Sequence, residues 1–395
     1  MVMSCAARER LVASRKQEIQ VLLTPDIYSW YRQQLNNCRM RFDDQRCAWM
    51  VFGYAEVQQV LLDTETFSSE RTLKPDGSAD EILGAGMLGL DPPRHRHLRS
   101  LVAQAFTQKT VAALEHRIRE ITDSLLDNIQ DQESVDIVDA VAFPLPVMII
   151  AGLLGIPAAD REQFRNWTRQ MVGTDFAVRV QAFRNMAAYF DAIVSERRFS
   201  EEGLISALLS ARIDGDGLSK ADIVGTCLVL LLAGHETTTG LIGNALWCLE
   251  EYPKARDEII ERPELLPAAI EEVLRFRSVV HWLPRVVKRD CSFLGHDLQE
   301  GDLLLPAFAA ANRDGAQFRD PDRFDIHRTP GRHMGFGHGI HLCIGASLAR
   351  LELRVALGEL LRRFPRMHRD PNDPPILKGS SFVFSFDHYP VRLQA

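Results

Sequence analysis

Long leucine-rich runs are scarce in this sequence: CLVLLLA at 227–233 falls far short of the roughly 20 residues that a bilayer span needs. The opening residues, MVMSCAARERLVASRKQEIQ, are broken by charges, unlike a signal peptide or a membrane anchor. A basic excess is missing too. With 53 acidic residues against 46 basic ones the net charge is −7, so the phosphate-binding surface of a nucleic-acid protein is not expected. CxxC pairs are absent, and the seven cysteines, an odd number, are scattered through 395 residues, which argues against disulfides and iron–sulfur clusters. Neither repeats nor low-complexity tracts occur, and no Pro/Gly/Ser-rich linker marks independent units. What remains is a soluble, cytoplasmic chain without membrane insertion. It is expected to fold as one domain over 1–395, with 1–24 as an N-terminal extension or helix.

Helical periodicity dominates from about 90 to 285, and short strand-like runs lie near both ends, at 47–53, 284–295, 302–308 and 381–386. The fold class read from this is mainly α with small β-sheets (α+β), the sheets mostly antiparallel. One helix stands out. Ser219 can cap it with Asp222 three residues on, and Tyr252-Pro253 stops it, giving a length on the order of 48 Å that crosses the molecule. Its middle, LLAGHETTTGLIGNAL, mixes glycines, three adjacent threonines and an acid, which is poor helix chemistry between apolar flanks. Such a break in local rules marks a kink, with threonines back-bonding to the helix, or a site.

A second helix carries Glu272 and Arg275 three apart on one face, and Arg323 lies downstream in a turn-rich loop. A second guanidinium beside that pair would make a multidentate network. The strongest local anomaly is FGHGIHLCIG at 336–345, a cysteine among three glycines and just ahead of a strong amphipathic helix ended by Phe364-Pro365. At a helix N-terminus, free N–H groups and the dipole favour a thiolate. Three uses compete. A nucleophile needs a base such as His341 or His338, with no obvious third group to orient it. A zinc site needs more ligands than His338, His341 and Cys343 easily provide so close in sequence. A single axial thiolate to a haem iron needs only one donor, and Gly337, Gly339 and Gly345 would let the backbone pass close to a flat macrocycle.

The loop resembles the haem-binding motif of the cytochrome P450 superfamily, F-x-x-G-x-x-x-C-x-G, at Phe336, Gly339, Cys343 and Gly345. AGHETT at 233–238 is similar to that family's oxygen-activating stretch, Glu272/Arg275 to its E-x-x-R pair, and Arg323 to the arginine that joins it. Further matches run through DPPRHRHLRSLVAQAF, PLPVMIIAGLLGIP and AANRDGAQF, so the likeness covers about 25–390, most like soluble bacterial members that oxidise fatty acids, terpenoids and steroids.

The resemblance implies haem b with Cys343 as the iron ligand, its propionates held by His95, Arg99, Arg285 and His341. Phe336, Gly337, Gly345 and Ala233 would touch the cofactor. Gly234 would leave room for dioxygen, and Glu236 with Thr237 would deliver protons as the catalytic acid and alcohol. Thr238 and Thr239 would only pack. Substrate contacts would come from Met87, Leu230, Ala233, Val280, His281, Trp282 and Phe384, with the loop at 75–90 as a mobile lid. The implied reaction is insertion of one oxygen atom from O2 into a C–H bond of a hydrophobic small molecule by a monomer. A haem isomerase or dehydratase, or a sensor without turnover, is the alternative. No flavin, nicotinamide or iron–sulfur module follows Cys343, so electrons are expected from a ferredoxin or flavodoxin with its reductase, and from NAD(P)H only indirectly. Arg94, Arg96, Arg332 and Arg350 are candidates to receive such an acidic partner.

Overall fold

The computed structural model describes residues 26–70, 86–172, 175–213, 216–329, 331–380 and 382–393. The proposed N-terminal extension and most of the proposed lid, 75–85, lie outside them. The long helix runs from Lys220 to Glu251 and is closed at its start by the expected box. Ser219 Oγ accepts from the Asp222 N–H at 3.1 Å, and the Ser219 N–H donates to Asp222 Oδ2 at 3.3 Å. Tyr252 ends it. Helices Pro144–Leu154, Phe176–Ser195 and Ala346–Arg363 pack around it, and nearly all of its apolar side chains are buried. Cys227 and Cys248 are core residues there, with thiol pKa values pushed up to about 12 by burial.

The helix is continuous through the segment LLAGHETTTGLIGNAL, and its threonines bond back onto it. Thr237 Oγ1 donates to Ala233 O at 2.5 Å, Thr238 Oγ1 to Gly234 O at 2.9 Å, and Thr239 Oγ1 to Ala142 O at 2.9 Å and His235 O at 3.1 Å. Its glycines are explained by neighbours. A Cβ at Gly240 would stand 2.9 Å from Ser385 Cβ, and one at Gly243 2.6 Å from the Phe386 ring, so the segment 383–388 lies directly on the helix. At Gly234 a Cβ would meet Ile150 at 3.1 Å, so the neighbouring helix packs closely there.

The largest sheet has five strands in the order Met40–Asp43, Ala48–Val51, Leu303–Pro306, Arg285–Val287, Phe67–Ser68. Only the Ala48–Val51 and Leu303–Pro306 pair is parallel. A three-stranded sheet joins His368–Arg369, Pro390–Arg392 and Ser134–Asp136. The expected strand at 381–386 is displaced. Val383 makes one bridge to Val280, and regular pairing starts at Phe386–His388 against Ile376–Leu377.

Candidate active site

The cysteine loop is fixed from both ends. Cys343 N–H donates to Phe336 O at 2.9 Å, Met334 N–H donates to Asn312 Oδ1 at 2.7 Å, and the helix Ala346–Arg363 starts just after it. Gly337 and Gly339 have φ of 73° and 70°, the left-handed region that suits glycine, and a Cβ on Gly339 would come 2.6 Å from Leu61 O. Gly339→Ala therefore combines strain with a backbone collision. It is expected to lower stability by about 1–3 kcal/mol, read as a reduced urea midpoint. Cys343 itself is exposed along the loop, yet crowding by the surrounding protein raises its thiol pKa. The Gly345 N–H and the Arg99 and Arg350 charges oppose that rise.

Beside the loop, nitrogen-bearing side chains converge. The rings of His95 and His341 lie 4.2 Å apart, and Arg99 Nη2 donates to Leu342 O at 2.5 Å. Arg285 is buried on the neighbouring strand. His341 pairs with Ser69 Oγ at 2.9 Å, whereas both ring nitrogens of buried His95 have no partner. Burial, Arg285 and His95 push the His341 pKa down to about 3. Burial and Arg99 likewise lower that of His95. The Asp91 carboxylate nearby is already taken by Ser68 Oγ at 2.6 Å, the Ser69 N–H at 3.0 Å and Lys288 at 2.9 Å. This pocket repels further positive charge and suits incoming anions, so the residues present fit a haem with its two propionates.

Glu272 and Arg275 form the expected pair, with Nε to Oε2 at 2.7 Å and Nη2 to Oε1 at 2.8 Å, both side chains buried. Arg275 also donates to Asn312 O and Pro321 O, each at 2.8 Å. The joining arginine is corrected. Arg323 contributes only its carbonyl, at 3.2 Å from Arg275 Nη2, while Arg328 Nε donates to Glu272 at 3.1 and 3.2 Å. Both arginines sit in one turn-rich loop, and it is the backbone path that turns Arg328 inward.

Of the substrate candidates, Met87 and Leu230 are buried near the start of the long helix, and Ala233, Val280 and Trp282 are partly buried. His281 and Phe384 are not on an open surface. His281 is wholly enclosed, paired with Tyr31 Oη at 3.0 Å and stacked on Phe384 at 5.7 Å, and burial holds its pKa down near about 3. The reading of His281 as a substrate contact is replaced by core packing. Arg350 is bidentate to Glu271 at 2.6 and 2.8 Å, and Arg94 pairs with Asp222 at 2.8 Å, so two of the four docking candidates are engaged within the chain. Glu236 has a partner that sequence reasoning missed, Lys378 Nζ at 2.9 Å. Among the described residues no group of three or more His, Cys, Asp or Glu side chains is placed to hold a metal ion.

A family model described as Cytochrome P450 matches residues 24–191 and 153–393. The chain is a cytochrome P450. Among curated relatives it is 40% identical over 352 residues to putative cytochrome P450 YjiB of Bacillus subtilis, covering 86% of this chain and 88% of that protein. It is also 41% identical over 363 residues to the erythromycin C-12 hydroxylase of Saccharopolyspora erythraea, covering 89% and 90%. Among solved structures, CYP109E1 of Bacillus megaterium in complex with corticosterone superposes with a TM-score of 0.85 at 38% identity, over 93% of this P450 and 98% of that chain. With relatives named as hydroxylases and epoxidases, the protein is a cytochrome P450 monooxygenase whose family binds haem iron.

Proposed function

We propose that this P450 hydroxylates an unactivated C–H bond of a hydrophobic small molecule of the fatty acid, terpenoid or steroid class. The observation that carries the cofactor assignment is the buried, unpartnered His95 among Arg99, Arg285 and His341 beside the Cys343 loop. Cys343 Sγ would ligate the iron, those four residues would hold the propionates, and Phe336, Gly337, Gly345 and Ala233 would border the ring. When bound, the haem supplies the redox-active iron that activates dioxygen, and a thiolate ligand favours O–O cleavage. The chain's own contribution is positioning and protons. The Glu236 carboxylate would take up a proton and hand it on, and Thr237 Oγ1, which donates to Ala233 O in this structure, would pass it toward the haem side of the helix. Apolar Met87, Leu230 and Val280 would order a hydrophobic substrate and exclude water from it. The substrate class is supported by CYP109E1, whose structures contain corticosterone and testosterone. Electrons would come from a separate ferredoxin or flavodoxin with its reductase.

The test is the absorption spectrum of the reduced protein with carbon monoxide. Haem-loaded wild type is expected to show the red-shifted Soret band of a thiolate ligand, and Cys343→His to lose it. Absence of the band in loaded wild type would remove Cys343 as ligand. A panel of fatty acids, terpenoids and steroids scored by haem spectral shift then narrows the substrate.

A further inference from the structure

On one side of the long helix a cavity of about 150 Å³ is walled by Val138, Phe143, Val172 and Thr239 and edged by charge. Room for several waters follows from that volume. At its outer edge Arg169 pairs with Asp139 at 2.8 Å, both more than half exposed, and exposed Asp387 stands on the strand Phe386–His388. Deeper in, the Lys378–Glu236 ion pair is mostly shielded, at 13% and 21% side-chain exposure. His235, 1% exposed, lines the same space with neither ring nitrogen partnered. Burial, Lys378 and Arg169 push its pKa down to about 3, so the imidazole is neutral and offers one N–H and one lone pair to water. Polar groups thus continue from solvent to the carboxylate, while Thr237 on the same helix is bonded to Ala233 O instead.

We propose that this cavity is the route by which protons reach Glu236 from solvent, with Asp387 the entry acid and Lys378 the residue that positions the Glu236 carboxylate. The inference rests on the proton role proposed for Glu236. Asp387 is suited to its part. Partial desolvation and the nearby Glu236 raise its carboxyl pKa, against the pull of Lys378, so it holds a proton more readily than an ordinary aspartate. A proton taken up by Asp387 passes through cavity water to Glu236, and Asp387 is reprotonated from bulk, so the relay returns to its starting state. Lys378 neutralises Glu236 between transfers and keeps it turned toward the water. The segment carrying both new residues is braced by Lys378 N–H donating to Ser385 O at 3.0 Å.

Three variants of the holoenzyme test this: Asp387→Asn, Lys378→Met, and Val172→Phe, which narrows the cavity without altering a charge. Each is first required to give the wild-type spectrum of the reduced carbon monoxide complex, which reports folding and haem loading. With corticosterone as probe, oxygen consumption and product per oxygen are then compared in H2O and D2O. The expected result is a fall of roughly tenfold to a hundredfold in coupled turnover with a larger solvent isotope effect. Independently of turnover, the infrared carboxylate band of Glu236, identified by its loss in Glu236→Gln, is expected to change frequency in Lys378→Met, which removes its ion-pair partner, and an unchanged band would remove the positioning role of Lys378. If all three variants match wild type while Glu236→Gln uncouples, protons reach Glu236 elsewhere and the route is wrong. If Glu236→Gln and Thr237→Ala also stay coupled, the proton role itself fails and the route falls with it.

Discussion

Replacing Arg275 with alanine is expected to cost about 3–5 kcal/mol of stability, because it strips the buried Glu272 carboxylate of its bidentate partner and leaves it only the single Nε of Arg328. Arg328 cannot take over. Its Nε stands at 3.1 Å and 3.2 Å from the two oxygens, and its other nitrogens already serve Arg319 O, Asp320 O and Arg323 O. The loss would also reach the cysteine loop. Arg275 Nη1 holds Asn312 O, Asn312 Oδ1 holds the Met334 N–H, and Met334 lies two residues before Phe336. Two readouts are therefore expected to move together: a lower urea midpoint and a smaller share of haem carrying the thiolate-type carbonyl band. Arg275→Lys keeps the charge but not the planar fork, and is expected to recover only part of either. A wild-type midpoint in Arg275→Ala would show that the pair does not brace the loop.

Glu352 sets the second large effect, and here the sign depends on pH. This side chain on the helix after Cys343 is 2% exposed, and its Oε2 has no partner. Burial raises its pKa from 4.5 to about 8, so the folded chain keeps a proton that the unfolded chain releases. Between those values the native state binds more protons than the unfolded state, and stability must fall as pH rises. At about 1.4 kcal/mol per pH unit the fall amounts to several kcal/mol by pH 8. Glu352→Gln lacks the proton and the slope. Its urea midpoint is expected to equal that of wild type near pH 4.5 and to exceed it increasingly toward pH 8. Parallel midpoint curves for the two proteins would mean that Glu352 is ionised in the native state.

Local chemistry explains which parts of this molecule are legible in its sequence. The long helix can be bounded to the residue because its cap and its stop are made by neighbours in the chain, Ser219 with Asp222 and Tyr252 before Pro253. The Glu272–Arg275 pair is legible for the same reason, being three residues apart on one helix. The cysteine loop is legible because its glycines and its thiol stand together, and family membership then follows. What fails depends on distant partners. His281 looks available in VVHWL until Tyr31, 250 residues earlier, closes over it. Arg323 and Arg328 are equivalent in composition, and only the folded loop chooses between them. Lys378 and Asp387 carry no motif at all. Their link to Glu236 exists because Gly240 and Gly243 admit the segment 383–388 onto the helix.

That same segment sets an order of assembly. The long helix needs only its own backbone and cap to form, and such local contacts are made early. The wall that covers it must come from far along the chain, as the ion pair of His388 with Asp136 spans 252 residues. Between the two events the face of the 32-residue, leucine-rich helix that 383–388 covers stays open, even with Pro144–Leu154 and Phe176–Ser195 packed on its other sides. The protein is therefore most prone to aggregate while folding rather than once folded, and slowing the late closure prolongs that exposure.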